Sequence, residues 1–168
     1  MRVTSLTSSQ IRWEGAAMWT VTESCTVPPY EDLRHADRMA DLLGFHHVAL
    51  TVRDRDASVE WYRTVLGFEE MFREENDERR GCVMRFPGGA SGVALVEHFD
   101  SEQRPFDPRQ QGLDHLAFTV GSMAEMDQWA QRLTDAGVTH SGVITIPPGA
   151  ILNFKDPDGI GLALFWDR

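Results

Sequence analysis

Cysteine is scarce in this chain. Only Cys25 and Cys82 occur among 168 residues. They lie in different kinds of segment and match no metal-ligand spacing, so neither a disulfide framework nor a cysteine-based metal centre is expected. Lysine is scarcer still: Lys155 stands alone among 16 basic residues, and the rest are arginine. Bases are outnumbered by 26 acids, for a formal net charge of −10. That balance argues against nucleic acid or an anionic membrane surface as a partner. No apolar run approaches the roughly 18 residues of a membrane-spanning helix. The stretch from Met1 to Tyr30 shows no basic-then-apolar secretory pattern, so the expected location is the cytoplasm. What is present is a globular composition, 42% hydrophobic and 25% charged. Its length suits one ordinary domain, or two small halves sharing a core.

The chain divides by pattern near residue 44. Residues 1–44 carry Ser, Thr and Pro clusters and weak periodicity, and read as an N-terminal extension, partly flexible. Within it the spacing of Leu33, Ala36, Met39, Ala40 and Leu43 predicts one short helix over 30–43. From Phe45 the pattern sharpens into one domain over 45–168. Residues 45–52 alternate as a strand. Residues 57–66 carry Val59, Tyr62, Val65 and Leu66 on one helical face, with Gly67 as the stop. Residues 81–86 and 92–98 read as further strands. The charged stretch 69–80 reads as a solvated edge or loop and is the weakest strand of the set. After a linker over 101–111 the order returns: a strand at 113–120, a helix opened by the Ser122–Glu125 capping pattern and ended by Gly137, then strands at 142–146, 149–155 and 160–166. Asp156-Pro157-Asp158-Gly159 is a tight-turn sequence between the last two.

This return is an internal repeat. At an offset of 68, His47 falls on His115, Ala49 on Ala117, Thr51 on Thr119 and Trp61 on Trp129. Near the module ends, Gly92-Val93-Ala94-Leu95 falls on Gly161-Leu162-Ala163-Leu164. The fold class that follows is α+β: two βαβββ modules, 45–100 and 112–168, related by a pseudo-twofold, with their sheets curled around a shared cleft. Alternation along the first strand of each module puts Val48, Leu50 and Val52, or Leu116, Phe118 and Val120, under the helix. His47, Ala49 and Thr51 share the other face, as do His115, Ala117 and Thr119. A small polar face of this kind suits a cavity lining.

The motif FHHVALTVRDRDASVEWYRTVLGFEE, its second copy GLDHLAFTV and the ending DPDGIGLALFWDR resemble the vicinal oxygen chelate superfamily, over about residues 45–168. That group includes glyoxalase I, extradiol dioxygenases, and bleomycin- and fosfomycin-resistance proteins. The resemblance implies that metal-dependent members draw one ligand, often His, from the first strand of each module and one, usually Glu, from the last. The first-strand positions are His47 and His115. The last-strand positions are Ala94 and Ala163, both methyl groups. His98, further along the face of Ala94 and Val96, is the candidate third metal ligand.

Two readings stand side by side. In one, the protein binds a small organic ligand in the cleft between the sheets, lined by Ala49, Thr51, Ala94, Val96, Ala117, Thr119, Ala163 and Phe165, with no metal and as a homodimer. In the other, one divalent metal (iron, zinc, nickel or manganese) held by His47, His115 and His98 makes it a lyase, isomerase or extradiol-type dioxygenase acting on vicinal oxygens. No catalytic residue is assigned. Trp61, Trp129 and Tyr62 read as helix–sheet packing, and the linker residues 104–109 as a spacer that can border the cleft mouth.

Overall fold

The computed structural model describes residues 11–13, 16–19, 44–89 and 91–167. The chain divides into two units, residues 1–43 and 44–168. In the first, β1 (Ile11–Trp13) pairs antiparallel with β2 (Ala16–Trp19). The helix expected over 30–43 lies outside the described residues.

The second unit contains two modules of the same order. In the first, β3 (His47–Thr51) leads to α1 (Arg55–Val65), then to β4 (Glu69–Glu75), β5 (Arg79–Arg85) and β6 (Gly92–His98). The second runs β7 (His115–Thr119), α2 (Met123–Asp135), β8 (His140–Ile146), β9 (Gly149–Lys155) and β10 (Gly161–Asp167). The sheets have matching orders, β3-β6-β5-β4 and β7-β10-β9-β8. In each the first and last strands pair in parallel and the other neighbours antiparallel. The two βαβββ modules expected from the repeat are therefore present. The charged stretch after α1 supplies β4, an edge strand exposed along its whole length. Charges along an open edge of this kind disfavour strand pairing with other chains.

Local chemistry sets the helix ends. The Asp54 carboxylate accepts from the N–H groups of Asp56 and Ala57 at 2.9 and 3.0 Å and opens α1. Ser122 Oγ accepts from Glu125 N–H at 3.2 Å. Glu125 reaches back to the N–H of Gly121 at 2.7 Å, one residue earlier than in the usual capping box. Both helices stop at a glycine with positive φ, Gly67 at 77° and Gly137 at 71°.

The core lies between the helices and the helix-bearing faces of both sheets. Leu50, Val52, Val59, Tyr62, Met84 and Leu95 from the first module cluster with Met126, Leu133, Leu152, Leu162 and Leu164 from the second. Phe68 makes edge contacts with Tyr62, Phe86 and Phe118 at ring separations of 5.4–5.7 Å, and so carries aromatic packing across the module boundary. Trp61 of α1 lies against Phe154 of β9 at 6.4 Å. Arg132 of α2 donates to the carbonyls of Val65 and Thr64. Within one chain the modules thus meet through their helices.

Candidate functional site

The register of each sheet places the candidate residues. Across the first sheet one row reads His47, Gly92, Arg85, the next Ala49, Ala94, Val83, and the next Thr51, Val96, Gly81. Across the second the rows read His115, Gly161, Lys155; then Ala117, Ala163, Asn153; then Thr119, Phe165, Ile151. Paired residues share a face, so the eight lining candidates and both histidines do lie on the two faces turned away from the helices. In a single chain these faces are open. His47, Ala49, Thr51, His115, Ala117 and Thr119 are all exposed. Ala94, Val96 and Ala163 are buried yet stand outside the shared core, low among the longer side chains of their own sheet.

His98 does not join this group. It lies four residues beyond Ala94 on β6, roughly 13 Å along a strand, and six beyond the partner of His47, roughly 20 Å. It borders a separate hollow of about 500 Å³ with Asp77, Glu78, Phe99 and Asp100. As a third ligand beside His47 it is corrected by this register, because a strand cannot fold six residues back within one metal's reach. Among the described residues no three His, Cys, Asp or Glu side chains converge in a metal-holding group. Each face offers one imidazole, His47 or His115, and, one row on, a methyl group, Ala94 or Ala163. Even both faces together supply two donors, short of the three protein ligands a catalytic site usually holds, and do not fit the metal that the resemblance implies.

Each first-strand histidine is tied by the residue before it. His115 Nδ1 lies 2.6 Å from the Asp114 carboxylate, and His47 Nδ1 lies 2.7 Å from His46 Nδ1. In both cases Nε2 is the ring nitrogen left open. The pairing of His46 with His47 was not legible in the alternation, which turns adjacent side chains to opposite faces.

The turn 156–159 holds more than a change of direction. Asp156 Oδ1 accepts from the N–H groups of Asp158 and Ile160 at 2.9 and 2.8 Å, and its Oδ2 accepts from the Tyr62 hydroxyl at 3.1 Å. Asp158 accepts from Ser58 Oγ at 3.2 Å and from Arg53 Nε at 2.7 Å. Both carboxylates are buried and fasten α1 of the first module to the second. Burial, helped by the charge of Asp158, raises the Asp156 carboxyl to about 6 against the donors it accepts from. Burial, then the Asp156 charge, pushes the Tyr62 phenol far above its ordinary value, which leaves it a fixed donor. Burial likewise pushes the Cys82 thiol up to about 11, so that it is an inert core group. Beside this latch the linker closes a hollow of about 220 Å³ with Thr51, Arg53, Arg104, Phe106 and Asp158.

Two matched βαβββ modules, each with an open small-residue face led by a histidine, define a class of paired-module proteins. Over residues 44–164 the chain matches the model of the Glyoxalase/Bleomycin resistance protein/Dioxygenase superfamily, and it belongs to that superfamily. It is similar to the uncharacterized protein YwkD of Bacillus subtilis (strain 168), with 33% identity over 129 residues, covering 74% of this chain and 97% of YwkD. Among solved structures it resembles a glyoxylase/bleomycin resistance protein/dioxygenase domain from Frankia sp. EAN1pec. The identity there is 38% and the TM-score 0.72, over 76% of this chain and all of that one. The fold is shared with TnmS3, an antibiotic binding protein from Streptomyces sp. CB03234, at 19% identity and a TM-score of 0.62, over 77% of this chain and all of that one. Among the described residues no helix is long and apolar enough to cross a membrane.

Proposed function

We propose that this protein binds a small organic molecule on the open faces of its sheets, with a second copy of the chain covering each face, and that it does so without the metal of its metal-dependent relatives. One observation carries the reading: the faces led by His47 and His115 are open and pocket-like in composition, and methyl groups stand at Ala94 and Ala163 where a carboxylate would complete a metal site. Without carboxylates, these faces favour ligands held by packing and hydrogen bonds over chelation. Ala49, Thr51, Ala94, Val96, Ala117, Thr119, Ala163 and Phe165 line the proposed site. The proposed form is a homodimer in the cytoplasm, because a single chain leaves both half-sites uncovered. The fold's use by an antibiotic binding protein is consistent with this reading.

The test is metal content after stripping and repletion with iron(II), zinc, nickel or manganese, followed by a ligand screen with and without chelator. The expected result is substoichiometric metal and a ligand affinity that chelator leaves unchanged. Near-stoichiometric metal that is lost in both His47→Ala and His115→Ala would overturn the reading in favour of a metal-dependent enzyme.

A further inference from the structure

The two open faces are alike in backbone and unlike in charge. In the first module the row His47, Gly92, Arg85 ends on a paired cation: Arg85 binds the Glu69 carboxylate of β4 at 3.1 Å. The matching row of the second module, His115, Gly161, Lys155, ends on the only lysine of the chain. Among the described residues no carboxylate or carbonyl partners that lysine. Within residues 44–167 every arginine has an ion pair or a hydrogen bond, with Arg53 on Asp158, Arg104 on Glu102, Arg109 on Asp107 and Arg132 on backbone carbonyls among them. Within residues 44–167 Lys155 alone of the Lys and Arg side chains is unpaired, in a protein of net charge −10.

One step along the same strand and face lies Asn153. It is 9% exposed, and its backbone N–H donates to Ser141 Oγ at 3.0 Å. Among the described residues its side-chain amide has no hydrogen-bond partner, and none of their side-chain N or O atoms is both fully buried and unsatisfied. The amide is therefore sunk in the face with its polar atoms still reachable from outside. Such a group is satisfied by water when the face is empty and is well placed to meet a ligand atom. Its matching position in the first module is Val83, so the first face has no equivalent.

Between His115 and Lys155 the floor of the row is Gly161. A Cβ there would stand 3.2 Å from His115 Cβ and 3.3 Å from the Asp114 carbonyl, so the glycine keeps the space above the strand clear. Beyond Asn153 the next row, led by Thr119, continues through the half-buried apolar side chains Phe165, Ile151 and Ile144. The Asp114 carboxylate, which would repel an anion, is engaged with His115. Ala163, between Ala117 and Asn153, adds no negative charge at the position where the resemblance implies a glutamate.

We infer that Lys155 and Asn153 form an oxyanion-binding site on the open face of the second module, taking a small organic carboxylate whose apolar body lies on Phe165 and Ile151. The two polar groups are neighbours on one strand face, with Cα atoms roughly 7 Å apart, so a single carboxylate spans them. The ammonium supplies charge, and the amide N–H supplies direction. This inference rests on the ligand-binding reading above and names the chemistry of its ligand.

The experiment is a titration of the full-length, 15N-labelled protein with sodium benzoate and, separately, with benzamide, its neutral isostere, at constant ionic strength. Amide shifts over 115–119, 151–155 and 161–165, and the Asn153 side-chain NH2 signals, are followed. The expected result is saturable shifts on these residues with benzoate. Affinity falls about fivefold with benzamide, and about fivefold for benzoate with Lys155→Gln or Asn153→Ala. Lys155→Gln is a surface change that leaves the core untouched, so a loss with that variant reads binding rather than folding. Equal affinity for benzoate and benzamide, or an unchanged benzoate affinity in Lys155→Gln, overturns the carboxylate assignment and leaves the ligand-binding face standing. No shift on this face with either compound at millimolar concentration overturns both.

Discussion

Between pH 4.5 and 7.5 the stability of this protein is expected to fall as pH rises, and the cause is one buried carboxyl. Asp156 in the unfolded chain holds its proton with the ordinary aspartate value of 3.8; in the folded chain burial raises this to about 6. Protonation therefore favours the folded state. The contribution is fully present below about pH 4 and is lost as pH rises through about 6. The gap between the two values corresponds to about 3 kcal/mol. The carboxyls held low by arginine partners, Asp56, Glu70 and Asp107 (the last at about 2), titrate below this window and act with the opposite sign. Urea unfolding at half-unit pH steps, with linear extrapolation, measures the profile. Asp156→Asn keeps an oxygen for the N–H groups of Asp158 and Ile160 and removes the proton, so its profile should be flatter. Tyr62→Phe takes away the donor that holds the carboxylate down and should steepen it. That loss is about 2 kcal/mol at pH 7.5, where the partner is charged, and about 1 kcal/mol at pH 4.5, where it is neutral. A wild-type profile flat across this window, or a slope that survives Asp156→Asn, refutes the reasoning.

Other consequences are simpler to check. Phe68→Ala removes the ring that touches Tyr62, Phe86 and Phe118 at once, and should cost about 3–5 kcal/mol, read as a lower urea midpoint with an unchanged folded-state circular dichroism spectrum. A Cβ at Gly92 would lie 1.8 Å from the Met84 carbonyl oxygen, so Gly92→Ala must move the β5–β6 backbone. It should lower the melting temperature well beyond Ser91→Ala, its neighbour; equal melting of the two variants would show that the strand yields freely.

The repeat was the most legible feature of this chain. His47 and His115, Trp61 and Trp129, and the glycine-led last strands stand at matching offsets because each module must bury one helix on one sheet, and that requirement repeats in the letters. Alternation also sorted the strand faces, since side chains at period two cannot do otherwise. The edge strand β4 was faint because its residues, exposed on both sides, carry no burial pattern. Asp156-Pro157-Asp158-Gly159 read as a turn and no more, because its two carboxylates meet Tyr62, Ser58 and Arg53 about a hundred positions away. The candidacy of His98 failed for a related reason: alternation assigns a face and says nothing of distance along it.

By itself, then, the sequence determined the two modules, their helices, the sidedness of their strands and the family, all of which are local or repeated properties. Tertiary structure alone decided which faces one chain covers. The apolar, helix-bearing faces offer the larger burial and pack on each other, which leaves the histidine-led faces open. It also decided which charges find partners. Arg85 meets Glu69 across a strand pair, and Lys155, at the matching position, meets no acid among the described residues. Pairing of this kind depends on register between segments far apart in the chain, and no single stretch of residues encodes it.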